Sequence, residues 1–173
     1  MGQDDTKHNL LFISKYPEII HEFTDAMKDR DIEIETAING IEAAAKIKKK
    51  NYDIVITGLS LEGYNGEQII TYLNKTAPST VCIIYTTTIS SAQLHFFINE
   101  RNVFRVFLRP VDFRGAFWEA LEEAYEYHAV QVKNEEDTGA RRQEQEKQER
   151  EIEIMDQRMR SQRQARETTN RCL

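Results

Sequence analysis

The residue types that could do chemistry are few in this 173-residue chain, and their spacing argues against most chemistries. Four histidines, His8, His21, His95 and His128, show no metal-ligand spacing and no neighbouring cysteine or carboxylate cluster, so they read as surface or core-edge residues. Two cysteines, Cys82 and Cys172, stand 90 positions apart, which makes neither a disulfide framework nor a zinc motif and fits a reducing compartment. No GxGxxG, no Walker-type loop and no nucleophile-base pair can be found. What remains is a set of small polar and cationic groups that each follow an apolar run: Ser14-Lys15, Ala37, Thr57-Gly58, Thr86-Thr87 and Arg109-Pro110.

The runs themselves explain the placement. Leu10 to Ile13, Ile32 to Thr36, Ile54 to Thr57, Val81 to Tyr85 and Phe104 to Leu108 are short and rich in β-branched residues, and each reads as a strand. Three are nearly continuous apolar runs, as expected of parallel strands covered on both faces, whereas Ile32 and Ile34 alternate with Glu33 and Glu35, as on an edge. Between them the apolar spacing is three and four: Ile19, Ile20, Phe23, Met27; Ile41, Ala44, Ala45, with Lys48; Ile69, Ile70, Leu73; Leu94, Phe97, Ile98. A fifth, longer helix carries Phe113, Phe117, Ala120, Leu121, Ala124 and His128 on one stripe, with Trp118 and Tyr125 on its shoulder. Asp112 is the expected N-cap of this helix, and Asn39 or Gly40 that of the second. Strand and helix alternate five times, which predicts an α/β fold with a five-stranded, doubly wound parallel sheet. In such sheets ligands bind beyond the carboxyl ends of the strands, where the polar groups named above fall.

Over residues 8–130 the chain resembles the receiver domain of response regulators in bacterial two-component signalling. That resemblance implies the flavodoxin-like strand order 2-1-3-4-5, an acidic pair for Mg²⁺ after the first strand and a phospho-accepting aspartate after the third. It further implies a Ser or Thr after the fourth strand and Lys-Pro after the fifth. Here the acidic pair falls on Ser14 and Lys15 and the acceptor on Gly58, with Gly66 eight residues on as in the family. The hydroxyl falls on Thr86 or Thr87, and Lys-Pro on Arg109-Pro110, a bond that tends to be cis in the family. The aromatic of the fifth-strand switch falls on Val106. Glu62 stands at the usual loop proline, and Ser60 offers only a carbonyl. Acyl-phosphate chemistry needs a carboxylate nucleophile and a dication in a carboxylate cage; glycine cannot attack, and Lys15 repels Mg²⁺. The expectation is a pseudo-receiver, not an enzyme, with no cofactor and no metal.

Two readings of the altered pocket stand. Lys15 and Arg109 converge with Thr86 or Thr87 into an anion site, making the module a sensor of a small anionic ligand. Alternatively, Lys15 fills the volume and charge of the missing metal while Arg109 points outward or meets a surface carboxylate. In receivers the fourth helix, fifth strand and fifth helix form a common partner face, and Phe96, Val106, Trp118 and Tyr125 are its candidate residues here; Trp118 also fits a partly buried core position.

Beyond residue 132 the composition changes. The expected domains are 8–132 and a polar tail, 133–173, with ten basic and ten acidic residues, against 13 basic and 19 acidic in the first 132. The acidic domain argues against nucleic acid, although five arginines between Arg158 and Arg171 leave that reading for the tail. The tail reads as a continuation of the fifth helix that frays near Gly139, then a marginal helix with Ile152, Met155 and Met159 in three-four spacing; a disordered linker is the alternative. No signal peptide and no run of 18 apolar residues is present, so the chain reads as cytoplasmic with no membrane partner; Met1-Gly2 with Thr6 matches a myristoylation pattern only loosely. The functional expectation is phosphorylation-independent contact with a protein partner, with homodimerisation through the tail or the fourth-helix face.

Overall fold

Five parallel strands and five helices alternate along the chain in a computed structural model that describes residues 7–171. Cys172 and the Met1-Gly2-Thr6 pattern lie outside the described residues. The strands are β1 (His8–Ile13), β2 (Ile32–Ala37), β3 (Ile54–Thr57), β4 (Val81–Thr86) and β5 (Val103–Leu108), in the order β2-β1-β3-β4-β5. The helices are α1 (Pro17–Met27), α2 (Gly40–Lys49), α3 (Gly66–Thr76), α4 (Ser91–Glu100) and α5 (Ala116–Arg171). This is the flavodoxin-like architecture expected from the sequence, with β2 on an edge as its alternation requires.

Alternate residues of the central strands point to opposite faces, which is why their runs are apolar throughout. Leu10, Phe12, Ile54, Ile56, Ile83 and Tyr85 pack on α1 and α5, where Phe23, Phe113 and Phe117 form edge-to-face contacts. Leu11, Ile13, Val55, Cys82 and Ile84 pack on the other face, against Ala43, Ile47, Ile69, Leu73 and Phe97.

Several local expectations are corrected. In α2 the buried stripe is Gly40, Ala43 and Ile47, not Ile41, Ala44, Ala45 and Lys48. Asn39 sets this phase: its side chain accepts from Glu42 N–H at 2.8 Å, and Gly40 lies so close to Tyr64 that an added Cβ would come within 1.8 Å of that carbonyl oxygen. In α4 only Phe97 is buried, leaving Leu94 and Ile98 exposed. Asp112 does not cap α5; its carboxylate accepts from Arg114 N–H in a turn, and the helix starts at Ala116. Tyr125 belongs to the core instead of an interface, because it is buried, its ring packs against His8 at a tilt of 34° and its hydroxyl reaches the Asn9 carbonyl at 3.4 Å.

The chain divides into two units, Met1–Gln131 and Val132–Leu173. Within the second unit the described residues stay helical through Gly139, so the expected fraying is not observed there. Ile152, Ile154, Met155 and Met159 are all exposed. Among the described residues no helix is long and apolar enough to cross a membrane.

Candidate functional site

Backbone hydrogen bonds carry the ladders one residue past the strands and so fix the loop mouths. Ser14 N–H donates to Ala37 O at 3.1 Å, Gly58 N–H to Ile13 O at 3.1 Å, and Arg109 N–H to Thr86 O at 2.8 Å. The β3–α3 loop is pulled back over the same edge. Gly66 N–H donates to Leu59 O at 3.0 Å, and a Cβ on Gly66 would lie 2.2 Å from Gly58 O, so only glycine allows this approach. Asn65 then starts α3 with a capping box completed by Gln68.

Ser14, Lys15, Gly58, Thr86, Thr87 and Arg109 line one cavity of about 70 Å³, together with Tyr16, Leu59, Ser60, Leu61 and Tyr85. These are the six positions on which the family's phosphorylation site falls; Ala37, Thr57 and Pro110 are not in the lining. The Arg109-Pro110 bond is cis. Gly58 differs in kind from Gly66. Its added Cβ would meet nothing closer than 3.7 Å, the Tyr85 carbonyl oxygen, so the backbone would accept a side chain there.

The lining contains no carboxylate. Lys15 Nζ lies 3.4 Å from Ser60 Oγ and 5.2 Å from the centre of the Tyr16 ring. Arg109 lies 4.7 Å from that same ring and 5.9 Å from the Tyr85 ring, so its guanidinium is held on aromatic faces rather than turned outward. Among the described residues neither cation forms an ion pair. Burial pushes the Tyr85 hydroxyl above its ordinary pKa; Arg109 opposes this and Glu22 adds to it. The sequence reading missed Tyr16 and Tyr85, although each adjoins a loop position already singled out: Tyr16 follows Lys15 and Tyr85 precedes Thr86. A receiver's Mg²⁺ needs hard oxygen ligands, carboxylates above all, and a lining of two cations, hydroxyls and a glycine does not fit such an ion.

The partner-face residues divide. Val106 and Phe96 are half-buried, with Arg101 over the Phe96 ring at 4.7 Å. Beside them Leu94, Ile98 and Leu108 are exposed. Trp118 packs partly against the core and carries Arg30 over its ring at 4.2 Å.

The histidines are not all isolated. At the amino ends of the strands His128 Nε2 lies 3.1 Å and His8 Nδ1 3.6 Å from the Asp53 carboxylate, which also accepts from Asn9 N–H at 3.3 Å. Burial alone would raise the Asp53 pKa, but the hydrogen bond and charge of His128, the Asn9 N–H and His8 together hold it below the ordinary carboxylate value. This cluster joins positions over 40 residues apart in sequence, and no local spacing announces it.

Comparison with known proteins agrees with this architecture. The response regulator receiver domain model matches residues 11–115. Similar solved structures include the signal receiver domain of an HD domain-containing protein from Pseudomonas fluorescens Pf-5, with TM-score 0.67 and 19% identity over 72% of this chain and 98% of that one. A CheY-like receiver domain protein from Methanospirillum hungatei JF-1 gives 0.65 and 18% over 72% and 99%. An adenylate cyclase from Rhodopirellula baltica gives 0.68 and 19% over 75% and 96%. No curated protein matches the chain. With the sheet order β2-β1-β3-β4-β5 and a family match over residues 11–115, the chain belongs to the response regulator receiver domain family.

Proposed function

We propose that this protein is a pseudo-receiver, a signalling module that acts by protein-protein contact and does not depend on its own phosphorylation. The observation that carries the reading is the composition of the cavity at the carboxyl edge of the sheet. Where phosphoryl transfer would require a nucleophilic carboxylate and a caged dication, the lining offers Gly58, Ser14 and Lys15. The steric freedom at Gly58 strengthens it: the missing side chain is not dictated by backbone geometry, so the position is free to carry an aspartate and does not.

Two surfaces are suited to contact. The first is the α4–β5 face, where Leu94, Ile98 and Leu108 are 41%, 39% and 50% exposed; exposed apolar groups on the two elements that also carry Phe96 and Val106 fit a partner surface. The second lies in the tail, where Ile152, Met155 and Met159 form an exposed three-four stripe that suits pairing with another helix.

The test is treatment with a small-molecule phosphodonor and Mg²⁺, read by intact mass. The unmodified mass is expected. A hydroxylamine-labile phosphoryl adduct would refute the proposal, because it would demonstrate an acyl phosphate on a carboxylate of this chain.

A further inference from the structure

We infer that the cavity bounded by Lys15 and Arg109 is a binding site for a tetrahedral phosphate-type oxyanion, taken up as the intact ion and without a metal. The inference rests on the preceding reading, since a dication in the same cavity would change its charge and its ligands.

The charge arrangement is the first ground. Lys15 and Arg109 both lie against the Tyr16 ring, at 5.2 and 4.7 Å, and no carboxylate lines the cavity they share. The domain carries 19 acidic residues against 13 basic ones, so carboxylates are abundant elsewhere. Two like charges at one cavity with no carboxylate in its lining repel, and an anion bound in that cavity offsets the repulsion.

Donor chemistry is the second ground. Ser14 is 6% exposed, and its oxygen accepts from Tyr16 N–H at 3.2 Å. Among the described residues its hydroxyl proton goes to no acceptor, and a buried hydroxyl that only accepts leaves a donor unused in the cavity wall. Thr87, an exposed residue of the lining, has a hydroxyl with no hydrogen bond among the described residues, whereas Thr86 donates to Thr88 O at 3.3 Å. Guanidinium, ammonium and hydroxyl donors form the set that an oxyanion accepts from.

Size is the third. About 70 Å³ is room for more than one water and suits a small ion or the terminal phosphate of a larger molecule, not a nucleotide or a sugar. A free ion and a phosphorylated side chain of a partner share this chemistry, so both are tested.

The experiment is a titration of the full-length protein with inorganic phosphate, and separately with O-phosphoserine, at constant ionic strength made up with chloride, followed by backbone amide shifts. Saturable shifts centred on Lys15, Thr87 and Arg109 are expected with at least one of the two, and which one responds identifies the source. Lys15→Ala and Arg109→Ala should each weaken binding about tenfold, the loss of one charge-assisted hydrogen bond. Gly58→Asp, which the backbone accepts, should abolish binding by placing a carboxylate where the anion sits. The amide spectra of the variants verify their folding. Absence of saturable shifts in both arms, or shifts that persist in all three variants, overturns the inference and leaves the pseudo-receiver reading intact. Binding that appears only with added Mg²⁺ overturns both.

Discussion

Replacing His128 by alanine tests whether the cluster at the amino ends of the strands holds α5 to the sheet. The ring of His128 faces two acceptors, the Ser79 carbonyl oxygen 2.8 Å from Nδ1 and the Asp53 carboxylate 3.1 Å from Nε2, and only the doubly protonated ring donates to both. The side chains are 17% and 27% exposed, so the pair is neither a screened surface pair nor a fully buried one. Hydrogen bonds to charged groups contribute about 1.5–3 kcal/mol, and solvent access at Asp53 places His128→Ala near the lower half of that range, about 2 kcal/mol. Urea unfolding followed by the fluorescence of Trp118, the single tryptophan, should show a lower midpoint with an unchanged slope. The pH dependence has a defined sign. Asp53 is depressed from 3.8 in the folded state, so its stabilisation is fully present above that value and is lost as pH falls through the lower folded value. In His128→Ala the burial that raises the carboxyl pKa loses its main opponent, and the acid-side loss seen in the parent should shrink. A double-mutant cycle with Asp53→Asn should give a coupling of about 1 kcal/mol or more; additivity within about 0.5 kcal/mol would refute the clasp.

Three further outcomes are expected. Gly66→Ala forces a Cβ to within 2.2 Å of the Gly58 carbonyl oxygen and should cost about 3 kcal/mol or more, read as a thermal shift; a neutral result would show that the β3–α3 loop does not approach the strand end as described. Gly139→Ala, at an exposed helical position where the added Cβ meets nothing within 4 Å, should stabilise the helix by about 1 kcal/mol and slow hydrogen exchange of neighbouring amides about fivefold. No change would place a break in the helix there. Sedimentation of the full chain against a version ending at Val132 should show self-association or partner binding lost with the tail stripe Ile152, Met155 and Met159; identical behaviour would remove the tail as a contact surface.

How much of this was legible in the sequence follows from the range of the interactions involved. The strands were readable because burial on both faces leaves no polar alternation in β3 and β4, and β2 betrayed its edge position through Glu33 and Glu35. Helix phase was less readable. Ile41 and Ala43 are both apolar, and what decided between them was the cap at Asn39 and the backbone contact between Gly40 and Tyr64, a tertiary fact. Tyr125 looked like a rim aromatic because the ring it packs against, His8, lies over 100 residues away.

The same distinction bears on the cavity. Positions 14, 15, 58, 86, 87 and 109 could be placed together from sequence because a parallel sheet delivers every strand's carboxyl end to one edge, whatever residues stand there. The state of those residues could not be read, since it depends on Tyr16 and Tyr85, whose ring faces hold the cations in the absence of a carboxylate. Gly58 carries the consequence. A glycine forced by a positive φ or a close contact would say nothing about chemistry, as Gly66 says nothing. At Gly58 neither constraint operates: the nearest atom to an added Cβ is 3.7 Å away. A side chain is therefore missing from a position that would tolerate one, beside two cations that would favour a carboxylate. An aspartate at 58 would be stabilised electrostatically, so stability alone favours the residue that is not there, and the cavity that Lys15 and Arg109 both line is where a ligand's charge can stand.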